Sequence, residues 1–86
     1  MTVADSAKCV AYHFREKRKV IDYAFSKDGF DTAKRYTISL ADRAAKTPVQ
    51  KRIKGELTAC ASYRALINIV DRVIRNGEHT AFVNYD

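Results

Sequence analysis

Between Pro48 and Gly77 the chain carries one continuous helical pattern, and that pattern restricts the fold more than any other feature. At 100° per residue, Ala59, Tyr63, Leu66, Val70 and Val73 fall on one line, flanked by Cys60, Ile67, Ile69 and Ile74. Lys54, Arg64, Asn68, Arg72 and Arg75 fall opposite. Thr47 suits an N-cap, Pro48 the first helical position, and Gln50 the second half of a capping box. Asn76-Gly77 reads as a C-terminal stop. The spacing therefore predicts one helix from about Pro48 to Arg75, with an apolar face wide enough to cover a sheet or sit between helices. Glu56 projects onto the apolar side of this helix, as does Arg52 one turn earlier. An acid there wants a partner, and the plainest is an ion pair with Arg52 four residues before it.

After Gly77 the stretch from Thr80 to Tyr85 alternates, with Ala81, Val83 and Tyr85 on one side. That is a strand pattern, and a strand needs neighbours. The segments Val10–Phe14, Val20–Phe25 and Tyr36–Leu40 are rich in β-branched and aromatic residues. They also fit helices, through Val3, Ala7, Val10, Phe14, Ile21 and Ala24, and through Ala33, Tyr36, Leu40 and Ala44. The terminal strand's need for partners favours strands for the first two segments, and residues 41–46 read as helical in either case. The expected fold is α+β over residues 1–86 as a single small basic domain. It has a small antiparallel or mixed sheet, one long helix at about 48–75 and a C-terminal strand. The alternative is an all-α three-helix bundle.

Charge is unevenly placed. Seven bases (Lys34, Arg35, Arg43, Lys46, Lys51, Arg52 and Lys54) and one acid, Asp42, lie between residues 34 and 54, so most of the net charge of +6 is there. A patch of this kind suits nucleic acid or another polyanion, and these seven residues are the candidate contacts to RNA or DNA phosphates. No apolar run is long enough to span a membrane. The opening residues lack the basic and apolar regions of a signal peptide. Cys9 and Cys60 match no disulfide framework or zinc pattern, which leaves two reduced thiols and a cytoplasmic setting as the expectation.

Lys54-Gly-Glu-Leu-Thr-Ala59, Ala65-Leu66, Asn76-Gly77 and Phe82-Val-Asn-Tyr-Asp86 together resemble the helix and following strand of the ribonuclease H-like fold. Val3-Ala-Asp-Ser6 takes the place of its first strand. The resemblance implies that Asp5, Glu56 and Asp86 are catalytic carboxylates holding Mg²⁺ for phosphodiester hydrolysis. It covers only the first part of such a domain, so it implies an inactive or incomplete core. Otherwise Asp5 is a first-turn acid and Asp86 a solvated terminal one.

Other motifs add little. Residues 44–49 are similar to a helix-turn-helix segment, but Arg43 and Lys54 stand where that motif needs apolar residues. Arg15–Lys19 reads as a solvated turn or a phosphate-touching hairpin tip. Tyr12, Tyr23, Phe25 and Tyr36 read as core, or as rings stacking on bases. The leading expectation is a small basic nucleic-acid-binding protein. The alternatives are a small interaction or inhibitor protein that binds an acidic protein partner, and a metal-dependent nuclease of the ribonuclease H type.

Overall fold

Val10 and Phe14 are fully buried while Tyr12, between them, is 56% exposed. A strand would place all three on one face. Burial at i and i+4, continued at Ile21, is the signature of a helix. The β-branched and aromatic residues here are therefore governed by helical burial, which outweighs their weak intrinsic preference for strands.

The computed structural model describes the backbone of residues 3–44 and 48–83, and the side chains of residues 9–43 and 48–77. It contains α1 (Val3–Asp28), α2 (Phe30–Ala44), α3 (Pro48–Ala59) and α4 (Tyr63–Val83). Among the described residues there is no strand, so the expected α+β fold with its sheet and C-terminal strand is corrected to all-α. The three-helix alternative has the right class but one helix too few.

Two local features account for the difference. The expected helix at 48–75 breaks at residues 60–62. There the Ser62 hydroxyl accepts the Ala65 amide at 3.2 Å, which makes Ser62 the N-cap of a new helix. The preceding end is closed as well. The Lys34 ammonium donates to the Cys60 carbonyl at 2.9 Å, and the Cys60 thiol donates to the Leu57 carbonyl at 3.0 Å. The expected stop at Asn76-Gly77 is not one. Leu66, Val70, Val73 and Gly77 form a buried i, i+4, i+7, i+11 stripe, so Gly77 is a core position and α4 continues through it to Val83. The end of the expected strand, residues 84–86, lies outside the described residues.

All four helices contribute to one apolar cluster, built around Val10, Phe14, Ile21, Leu40, Ile53, Leu57, Leu66 and Val70. α1 is the spine. α2 and α4 pack mainly on it, α3 packs mainly on α2, and α3 meets α4 only sparsely. The long α1 explains the elongated outline of 43 × 20 × 19 Å. Gln50, at the start of α3, is buried and donates to the Ala41 carbonyl at 2.6 Å, which fixes α3 to the end of α2. Its expected capping partner Thr47 lies outside the described residues. Cys9 and Cys60 are free thiols. No described helix is long and apolar enough to cross a membrane.

The turn between α1 and α2 is a single residue. Gly29 has φ +92°, its amide donates to the Phe25 carbonyl at 2.9 Å, and its own carbonyl accepts the Ala33 amide at 3.2 Å. One glycine thus ends one helix and starts the next. A Cβ at Gly29 would meet nothing within 4 Å, so the cost of a side chain there is conformational alone. Gly29→Ala is expected to destabilise by about 1–2 kcal/mol in a urea titration. A neutral result would show that the turn tolerates a right-handed backbone.

Candidate functional site

Because α3 meets α4 so sparsely, a cleft of about 370 Å³ opens between them. Val49, Arg52, Ile53 and Glu56 line it from α3, at the i, i+3, i+4, i+7 positions of one helix face. Arg72, Val73, Asn76 and Gly77 line it from α4. Val49, Ile53 and Val73 are nearly fully buried and form the apolar floor. Arg52 and Arg72 are exposed and form a cationic rim.

Glu56 is indeed paired, but not with Arg52. The Arg72 guanidinium donates to its carboxylate at 2.5 Å, bridging α3 and α4. Both side chains are more than a third exposed, so the pair adds only about 0.2–1 kcal/mol of stability. Its clearer consequence is positional: Glu56 engages one arginine of the rim, and Arg52 stands one turn away from it. Arg75, also exposed on α4, does not line the cleft.

The six described bases of the 34–54 patch differ in their surroundings. Lys34 is half-buried, capping Cys60 and lying 5.6 Å over the Phe30 ring. Lys54 pairs with Asp42 at 3.3 Å, between α3 and α2. Arg35 and Arg43 are exposed on α2, and Lys51 is exposed on the side of α3 away from the cleft floor. Lys46 lies outside the described residues. Of the six described, only Arg52 lines the cleft.

Of the three acids read as metal ligands, Asp5 sits on the first turns of α1, its side chain outside the described set, and Asp86 lies outside the described residues. Among the described residues no three His, Cys, Asp or Glu side chains gather as a metal site would need. Glu56 faces a guanidinium instead, so its described surroundings do not fit a divalent ion.

A second polar cluster lies between α1 and α4. Arg18 pairs with Asp22 on its own helix and with Asp71 at 3.4 Å, while the Tyr63 hydroxyl donates to Asp22. The Tyr63 ring stacks on Phe25, centroids 3.7 Å apart and nearly parallel. Burial pushes the Tyr63 phenol up, and the Asp22 carboxylate adds to this, to about 12. Burial pushes Asp22 up too, but the Tyr63 hydroxyl and Arg18 outweigh it and hold the carboxyl below its ordinary value. A raised phenol pKa favours the folded state fully below the ordinary value of 10.0, and that contribution fades as pH rises from 10.0 toward about 12. The depressed Asp22 works oppositely, contributing above 3.8 and losing its contribution as pH falls below it. Tyr63→Phe keeps the stack and is expected to flatten the alkaline limb of urea midpoint against pH. Parallel curves for the two proteins would show that the hydroxyl does not couple to folding.

Sequence reasoning missed the cleft because it needs two helices where one was expected. Ser62 was the available signal: a cap residue after Ala59-Cys-Ala61 divides the pattern. No protein-family model matches the chain, and no curated protein or solved structure does either, so the cleft is read from its own geometry.

Proposed function

We propose that this chain is a small helical interaction protein that binds an acidic segment of a protein partner in the α3–α4 cleft. One observation carries the reading: an apolar floor of Val49, Ile53 and Val73 is rimmed by Arg52 and by Arg72, the latter paired with Glu56. Such a site suits a side-chain pair from the partner, a carboxylate for the rim and an aliphatic group for the floor. A helix with both on one face supplies them. Guanidinium groups suit carboxylates because their planar donors match the two oxygens. The net charge of +6 would steer an acidic partner toward the protein.

This reading is preferred to nucleic-acid binding because, of the six described bases, Arg52 lines the cleft and the others do not. Two of them, Lys34 and Lys54, are held by the fold, and Lys51 and Arg52 point to different sides of α3. A phosphate backbone is best tracked by a continuous stripe of charge. Titration with a fluorescent Glu- and Leu-containing helical peptide, beside RNA and DNA oligonucleotides of equal charge, separates the two. Saturable binding of the peptide, dependent on its leucines, is expected. Tighter binding of an oligonucleotide would overturn the proposal in favour of the phosphate-binding reading.

A further inference from the structure

The outer face of α1 carries large apolar side chains in water. Tyr12 is 56% exposed, Tyr23 62% and Val20 43%. Tyr12, Glu16, Lys19 and Tyr23 lie within one narrow stripe, since residues 4, 7 and 11 apart recur on one helix face. The order along the stripe is aromatic, acid, base, aromatic, with spacings of 4, 3 and 4. Reversed, the spacing is unchanged and each charge meets its opposite.

We propose that two copies of this chain associate through this face, with their α1 helices antiparallel about a two-fold axis between Glu16 and Lys19. Each Tyr12 then lies against Tyr23 of the second copy, and each Glu16 against Lys19 of the second copy. Every contact occurs twice, as an isologous interface requires. Across these four positions the stripe is self-complementary in spacing, and in charge because Glu16 and Lys19 exchange places; Lys27, over the Tyr23 ring, adds a base beyond its end. A second copy, reversed, supplies this order.

The rings are partly held before association. Tyr12 meets His13 edge-on, centroids 5.9 Å apart at 76°, and the Lys27 ammonium lies 5.7 Å over the Tyr23 ring. Steadied side chains lose less freedom on binding. Aromatic pairs contribute beyond the area they cover. The tyrosines are 11 positions apart, or about 16 Å along the helix. An interface of that length is small, in the class that forms weak complexes. The face lies on α1, so its occupation does not depend on the α3–α4 cleft or on what binds there.

The test is sedimentation of the full chain over a concentration series. A reversible monomer–dimer equilibrium is expected. Glu16→Lys alone and Lys19→Glu alone should each weaken it tenfold or more, because each places like charges opposite one another twice. The double variant Glu16→Lys, Lys19→Glu restores opposite pairs and should regain most of the affinity. Tyr23→Ser, which alters no charge, should also weaken it. Circular dichroism at a concentration where all are monomeric checks that every variant is folded. Should one single variant not fold, the other single variant and Tyr23→Ser carry the comparison. A chain that stays monomeric throughout overturns the proposal. So does a double variant no better than the singles, or assembly beyond a dimer.

Discussion

Phe14→Ala is expected to destabilise the protein by about 3–5 kcal/mol, the usual cost of emptying a fully enclosed aromatic site. Phe14 has no solvent exposure and belongs to the central cluster, on the helix against which α2 and α4 both pack. Its removal leaves a cavity bounded by three helices, which cannot all close on it together. In a chain of 86 residues the loss should lower Tm by at least roughly 12 °C. Total stabilities of small domains are only about 5–15 kcal/mol, so the loss removes a large share of the margin that keeps the chain folded. Tyr12→Ala, compared at a concentration where the chain is monomeric, is the informative control. It lies two residues away, 56% exposed, and should change stability by no more than about 0.5 kcal/mol. Thermal melts followed by circular dichroism measure both. Similar losses at the two positions would mean that α1 does not seat on the bundle by the face that buries Val10, Phe14 and Ile21.

Arg52→Glu is expected to reduce binding of an acidic helical peptide about ten- to a hundredfold, because hydrogen bonds to charged groups are worth about 1.5–3 kcal/mol each. Arg52 lines the cleft from α3, whereas Arg72, across from it, is engaged by Glu56. Reversal at Arg52 places an anion where the partner's carboxylate would sit. Lys51→Glu alters the net charge equally but lies on the far side of α3. It should reduce only the long-range attraction, and that loss should disappear as salt is added. Fluorescence titration at low and physiological ionic strength gives both comparisons. Equal losses for the two variants would show that overall charge, and not the cleft, captures the peptide. Loss of folding in Arg52→Glu is not expected, since the side chain is exposed and no core residue depends on it.

Much of the interior was readable from residue order alone. Leu66, Val70 and Val73 were placed on one helical line and are buried together. The helical alternative for the first half contained Val10, Phe14 and Ile21, and all three are core. Glu56 was recognised as an acid that needed a partner. These inferences share a physical basis: within one helix, spacing decides which residues face the same way, and the sequence states the spacing.

What the sequence left open concerned choices between local patterns that only neighbours settle. Val10–Phe14 satisfies a strand and a helix alike until packing buries residues 10 and 14 and leaves Tyr12 in water. Gly77 is a helix stop in isolation but is a buried position inside α4 once the helices pack. The helix end at residue 60 is closed by Lys34, a residue of another helix, whose ammonium donates to the Cys60 carbonyl. The partner of Glu56 proved to be Arg72, which lies sixteen positions away and becomes a neighbour only after the chain turns at Ser62. Periodicity determines which side of a helix is apolar. Only the tertiary structure determines where the helix ends, which helix that side meets, and hence that Arg52 and Arg72 come to flank one cleft.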